Sequence, residues 1–239
     1  MPAKVLLEAR GVWCEFGGVT ALCGVDVEAR DGEIVALIGP NGAGKTTLLN
    51  VLSCVLPPAR GEVFLGGARL TGRRPHVAAR AGLTRTFQNL QLFGSLSVAE
   101  NVRVAREARL GRTVDDAEAA RWLARVGLAE RAGDPAEALS FGQRRHLELA
   151  RALATEPRVL LLDEPAAGLS ALERIALHEL LLGLRADGVT VLLVEHDLEL
   201  ALSLADRVIV LDQGEKIADA TPEAVRSDPR VIAAYLGTA

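Results

Sequence analysis

Ile34-Val35-Ala36-Leu37-Ile38-Gly39-Pro40-Asn41-Gly42-Ala43-Gly44-Lys45-Thr46-Thr47-Leu48-Leu49-Asn50-Val51-Leu52 is the stretch that decides the fold of this chain. Its first five residues are apolar without a break, as in a strand buried on both faces. From Thr46 to Leu52 the apolar residues are spaced as in an amphipathic helix. Between them, Gly39 to Thr46 fits GxxxxGK[ST], a phosphate-binding loop when a strand precedes it and a helix follows. Glycines at 39, 42 and 44 let successive N–H groups turn inward, and the helix start adds positive dipole to the same hollow. The pattern sends Lys45 to the terminal phosphates of a polyphosphate and the Thr46 hydroxyl to a magnesium ion. Pro40, Asn41, Ala43 and Thr47 complete the expected nucleotide-binding loop.

The 239 residues suffice for one large α/β domain, or for a core carrying a smaller insert. A hydrophobic content of 49% argues against disorder, and a net charge of −4 argues against broad electrostatic binding of nucleic acid or an anionic membrane. Cys14, Cys23 and Cys54 lack CxxC spacing and nearby histidines, and read as small apolar residues. Met1 to Glu8 lacks the apolar core of a secretory signal, and no run approaches the ~20 apolar residues of a membrane span. The chain is therefore expected in the cytosol.

Upstream of the loop, Val25 to Ala29 alternates, and Asp31-Gly32 is a hairpin turn signal leading into the Ile34 strand. Downstream, Leu56 to Gly61 forces a turn and Glu62 to Leu65 reads as a short strand, so a β-layer is expected beside the nucleotide-binding core. From Leu90 to about Ala138 the pattern is helical. Ser97 to Glu100 and Thr113 to Asp116 both look like capping-box starts, and Trp122, Leu123, Val126 and Leu128 form the inner face of the second helix. Strand and helix then alternate: Val159–Leu162, Leu172–Leu184, Val189–Val194, a helix from Asp197, and Val208–Leu211. The expected class is α/β, a P-loop NTPase core with a mixed sheet, an antiparallel β subdomain and an inserted α-helical subdomain. Residues 1–87 and 139–220 would form the core with its β subdomain, 88–138 the helical subdomain and 221–239 a C-terminal helical extension.

Two further strands end in chemistry. Val159 to Leu162 leads into Asp163-Glu164-Pro165, and an acid at the carboxyl end of a buried parallel strand lies where such sheets bind ligands. Asp163 can hold magnesium through a water, and Glu164 can orient and polarise a water for attack on the γ-phosphate. Val191 to Val194 leads into Glu195-His196-Asp197, where His196 could contact that phosphate or bridge it to Glu164. Leu139-Ser140-Phe141-Gly142-Gln143, alone, is a Ser/Gly helix start whose donors suit an anion.

Taken together, these motifs resemble the nucleotide-binding domain of ATP-binding cassette transporters across nearly the whole chain. The loop matches Walker A, Val159 to Glu164 matches Walker B, and Leu139 to Gln143 looks like LSGGQ with Phe141 in place of a glycine. The resemblance implies ATP and magnesium as cofactors, ATP hydrolysis as the activity, Glu164 as the catalytic carboxylate and His196 as the switch histidine. It implies that Phe16 stacks on adenine and that Gln88 senses the γ-phosphate and touches magnesium. Pairing of two such domains head to tail would bring Ser140, Gly142 and Gln143 to the partner's ATP. Gly168 to Glu173 would be the D-loop, with Glu173 in place of the commoner aspartate.

Thr84 to Asn89, Asp163 to Leu169 and Asp228 to Gly237 are similar to the first ATPase subunit of branched-chain amino acid importers, in which aromatic residues occur at the Phe141 position. Asn101 to Gly127 is shorter than the matching stretch in most members. Cassettes for urea, short amides or lipopolysaccharide extraction share much of the pattern. The implied partners are integral-membrane permeases, a second ATPase subunit (a sister chain or a second copy) and a periplasmic or extracellular substrate-binding protein. The implied place is the cytoplasmic face of the membrane.

Gly66 to Ala99 contains no acid but has arginines at 69, 73, 74, 80 and 85, followed by Leu90, Leu92, Phe93 and Leu96. This reads either as a basic rim beside an apolar docking groove or as solvated arginines over core leucines. The competing classes are a soluble cassette ATPase of DNA repair or translation and a P-loop kinase. The first usually carries a long coiled coil or a second cassette, absent here, and the second leaves Leu139 to Gln143 unexplained.

Overall fold

The computed structural model describes residues 4–236, so residues 1–3 and the last three of the expected C-terminal extension lie outside the described residues. The chain opens with two long strands, β1 (Val5–Phe16) and β2 (Val19–Arg30), paired antiparallel. Then come β3 (Ile34–Ile38), α1 (Lys45–Leu52), β4 (Arg60–Leu65), β5 (Ala68–Arg69), α2 (Pro75–Arg80) and β6 (Leu83–Arg85). Helices α3 (Val98–Leu110), α4 (Asp116–Arg125) and α5 (Phe141–Ala154) follow. The remainder alternates: β7 (Val159–Asp163), α6 (Ala171–Ala186), β8 (Thr190–Val194), α7 (Leu198–Leu204), β9 (Arg207–Asp212), β10 (Glu215–Ala220), α8 (Pro222–Arg226) and α9 (Pro229–Leu236). Among the described residues no helix is long and apolar enough to cross a membrane.

The strands form two sheets. An antiparallel one runs β2-β1-β4-β5, and a mixed one runs β10-β9-β3-β8-β7-β6 with β10 as its antiparallel edge. The mixed sheet has apolar side chains on both faces, which is why its strands lack polar alternation. Val35 and Leu37 of β3 enter the core shared with β1, β2, β4 and α1, while Ile34 joins the core built by α3 to α6. Val159 and Leu161 of β7 likewise face the first core, and Leu160 and Leu162 the second. Cys14 lies in the first core and Cys54 packs against it, burial pushing both thiols up.

Strands β3, β8 and β7 are neighbours in register, with Leu37 opposite Val194 and Val194 opposite Asp163. The loops after Ile38, Asp163 and Val194 therefore leave the sheet side by side, at the carboxyl edge where open α/β sheets bind ligands.

Two local expectations need correction. Asp31-Gly32 does turn the chain, with Gly32 at φ +70°, but it links one sheet to the other and closes no hairpin. Both edges of β3 are taken by the parallel strands β8 and β9, leaving β2 nowhere to pair. The second helix starts two residues later than Thr113 predicts. Asp115 caps it, Oδ1 accepting the Glu118 N–H at 2.8 Å, and the helix ends at Arg125, so Val126 and Leu128 are buried beyond it. Ser97 and Glu100 form the expected reciprocal capping box.

Candidate functional site

Gly39 opens the phosphate loop under a steric demand. Its φ is +146°, and a Cβ there would lie 2.0 Å from the Leu211 carbonyl oxygen of the neighbouring strand. Lys45, the first residue of α1, is buried, and its ammonium donates to the Gly39 and Pro40 carbonyls at 2.6 and 2.9 Å. Burial lowers its pKa, while Glu164 and Asp163 work in the opposite sense. Residues 41–47 of the loop line one cleft with Ala21, Gln88, Glu164 and His196. Ala21 carried no signal in the sequence; it reaches the cleft because β2 runs alongside the loop. Phe16, half-exposed at the end of β1, is not among the lining residues.

Glu164 is gripped from both sides. His196 Nε2 lies 2.8 Å from one carboxylate oxygen, and Gln88 Nε2 donates to the other at 3.4 Å. The backbone of Glu164 has φ +49°, a left-handed conformation costing about 1–3 kcal/mol for a residue with a side chain. Its N–H donates to the Val194 carbonyl at 2.9 Å, which holds the turn against the end of β8. Glu195, buried next to His196, accepts the Ala166 N–H at 2.8 Å. Burial pushes its pKa up despite backbone donors from residues 166, 196 and 197. The strand end carrying His196 and the loop carrying Glu164 are thereby fixed to each other.

Asp163 is buried one residue earlier. Oδ2 accepts from Arg85 Nη2 at 3.0 Å, and Oδ1 is buried without a hydrogen-bond partner. Arg85 also donates to Asn50 Oδ1 of α1 at 2.6 Å and to Ser53 Oγ just past its end at 3.1 Å, and lies 5.0 Å over the Phe87 ring. This corrects its reading as a member of a basic rim: the position at the end of β6 turns the side chain inward. Asp163 does not itself line the cleft that holds Thr46 and Gln88, but its buried, unpaired carboxylate oxygen one residue before Glu164 suits a hard cation that takes few protein ligands and is reached through a water. Among the described residues no group of three or more His, Cys, Asp or Glu could hold a metal by itself, so phosphate oxygens would have to complete the shell.

Ser140, Gly142 and Gln143 do not line this cleft. Ser140 caps α5, its Oγ accepting the Gln143 N–H at 3.2 Å while Gln143 Oε1 accepts the Ser140 N–H at 3.0 Å. A Cβ at Gly142 would lie 1.8 Å from Glu173 Oε1, and one at Gly168 would lie 2.7 Å from the Phe141 ring. The start of α5 and the loop leading into α6 are thus packed directly on each other.

The sequence model of the ABC transporter family matches residues 22–167, and that of the branched-chain amino acid ATP-binding cassette transporter matches residues 215–239. The chain is 42% identical to BraF of Pseudomonas aeruginosa, a high-affinity branched-chain amino acid transport ATP-binding protein, across 99% of this chain and all of that protein. It is also 42% identical, with the same coverage, to LivG of Escherichia coli K12, which has the same description. The ADP conformation of MJ1267, an ATP-binding cassette of an ABC transporter, superposes with a TM-score of 0.89 at 30% identity, covering 98% of this chain and 99% of that one. The dimeric post-hydrolysis state of the cassette MJ0796, bound to ADP and Pi, gives 0.83 at 27% identity over 91% and 99%. The family model spans more than half of the chain and the curated relatives match along nearly all of it, so the chain belongs to the ABC transporter family, among the ATP-binding subunits of its branched-chain amino acid group.

Proposed function

We propose that this chain binds and hydrolyses ATP to power import of branched-chain amino acids by a membrane complex on whose cytoplasmic face it sits. The observation that carries the chemistry is the Glu164 carboxylate held between Gln88 and His196 in the cleft of the phosphate loop. In this reading Gly39 to Thr47 cradle the phosphates and Phe16 stacks on the adenine. Glu164 polarises the attacking water, and His196 and Gln88 contact the γ-phosphate. Thr46, Gln88 and, through a water, Asp163 would hold magnesium, which when bound offsets charge on the β- and γ-phosphates.

Ser140, Gly142 and Gln143 serve the ATP of a second ATPase subunit, which their place outside this chain's own cleft supports. A sister chain is favoured over a second copy. Residues 1–87 and 139–220 act as core with β subdomain, 88–138 as helical subdomain and 221–239 as C-terminal extension. The permeases dock at the segment before α3, where Phe93 and the arginines at 73, 74 and 80 are exposed. A periplasmic or extracellular binding protein supplies substrate, and no nucleic acid takes part.

The test is uptake of radiolabelled leucine into ATP-loaded vesicles carrying the chain, its sister ATPase and the co-encoded permeases, with the co-encoded binding protein added outside. ATP-dependent uptake competed by isoleucine and valine supports the reading. Uptake of urea or a short amide instead, or outward movement of a lipid, would replace the substrate but keep the ATPase.

A further inference from the structure

Residues 86–97, between β6 and α3, form neither helix nor strand, yet they carry Gln88. Side chains from one face of α5 supply much of what holds the first half of this segment. Arg145 donates to two successive carbonyls, from Nη1 to Phe87 at 3.2 Å and from Nη2 to Gln88 at 2.8 Å. Glu148, one turn on, accepts the Phe87 N–H at 3.4 Å and an Arg145 Nη1 hydrogen at 3.1 Å. Arg151, a further turn on, donates to the Gln91 carbonyl and lies 5.0 Å over the Phe93 ring.

Arg145 and Glu148 are 4% and 7% exposed. A buried pair of this kind adds little stability over an apolar pair of the same volume, because its attraction is offset by lost hydration. What a planar guanidinium fork adds is direction. Donors on consecutive carbonyls fix the two peptide planes that meet at the Gln88 Cα, and the Gln88 side chain leaves from that atom to reach Glu164. We propose that Arg145 and Glu148 are positioning residues for Gln88, setting its reach to Glu164 and the γ-phosphate without touching either. The proposal rests on the roles given above to Gln88 and Glu164.

The test compares Arg145→Met, Arg145→Lys and Glu148→Gln with the wild-type chain by hydrogen exchange, ATP affinity and turnover of the assembled transporter. In Arg145→Met, exchange of amides 86–91 should speed up by about tenfold, with α1 and α6 unchanged. ATP affinity and KM should stay within about twofold while kcat falls by about tenfold. Arg145→Lys should recover part of both effects, since an ammonium still reaches one carbonyl but cannot hold both peptide planes.

Faster exchange spread evenly over α3, α4 and α5 would mean general loosening and would overturn the proposal. So would local loosening at unchanged kcat. Should Arg145→Met fail to fold, Glu148→Gln decides: wild-type exchange and kcat in that variant overturn the clamp. Near-normal turnover by Glu164→Gln would overturn the reading of Glu164 instead, and the exchange pattern would then decide the clamp alone.

Discussion

Arg85 and Asp163 form a buried ion pair, Nη2 to Oδ2 3.0 Å, that ties the end of β6 to the end of β7. The two strands are already hydrogen-bonded, Arg85 standing opposite Leu161 in the ladder. Burial lowers the pKa of the guanidinium, and the hydrogen bond and charge of Asp163 oppose that shift. Arg85→Met would leave the carboxylate buried and uncompensated, at a cost of about 3–5 kcal/mol. Arg85→Met/Asp163→Asn should recover more than half of that loss in urea unfolding. A double variant as unstable as the single one would show that Arg85 acts through Asn50 and Ser53 instead.

Glu164→Gln keeps the size of the side chain and its left-handed backbone while removing the charge that polarises water. Turnover of the assembled transporter should drop by about 10²–10⁴-fold with ATP affinity retained, as read by rapid-quench kinetics and nucleotide titration. With its partner subunit and ATP the variant should elute as a lasting dimer. Near-normal hydrolysis would remove Glu164 from the catalytic role.

Gly142→Ala forces the Glu173 carboxylate to move, because the new methyl would sit 1.8 Å from Oε1. Glu173 Oε2 accepts the Ser170 N–H at 2.8 Å and closes the capping box of α6, so its displacement should lower stability. Glu173→Ala already surrenders that cap. Stability of Gly142→Ala/Glu173→Ala should therefore match Glu173→Ala alone, and simple additivity in the cycle would refute the contact.

His146 supplies a pH dependence. Burial holds its imidazole below the usual range, against the pull of Glu173 and a hydrogen bond with the Val126 backbone. The unfolded chain takes up this proton first as pH falls below about 6.5. The contribution is thus whole above that pH and is lost as pH falls through the lower folded value. Urea midpoints measured from pH 7 down to pH 5 should fall more steeply for the wild type than for His146→Gln. Parallel slopes would show that His146 protonates equally in both states.

Phe93 is 46% exposed, so Phe93→Asp should fold and bind ATP as the wild type does while failing to co-purify with the permeases. Retained assembly and uptake would move the docking surface elsewhere.

Much of the fold was legible because the β3–loop–α1 unit is local: apolar run, glycines and helix period all fall within Ile34 to Leu52. The pairing of β3 was not, since Asp31-Gly32 chemistry serves a hairpin and a sheet-to-sheet corner alike, and only the distant β8 and β9 decide between them. Thr113 was misread as a cap because Asp115 and Glu118, two places on, satisfy the same rule. Lys45, Glu164 and His196, which line one cleft, stand in motifs that the sequence displays. Arg85 and Arg145 sit in stretches rich in arginine, where charge alone suggests solvent. Their signal lies in partners 78 residues away at Asp163 and 57 away at Gln88.

Phe141 and Glu173 look in the sequence like two unrelated departures from the common pattern, yet the packing of Phe141 on Gly168 and of Gly142 on Glu173 makes them parts of one joint. Such a joint keeps its packing only if both halves are exchanged together. A graft that puts glycine at 141 would strip the phenyl ring from Gly168, and a graft of residues 168–173 alone that puts aspartate at 173 would draw the carboxylate away from the start of α5. Chimeras between cassettes should therefore place their crossovers so that residues 139–143 and 168–173 come from the same parent.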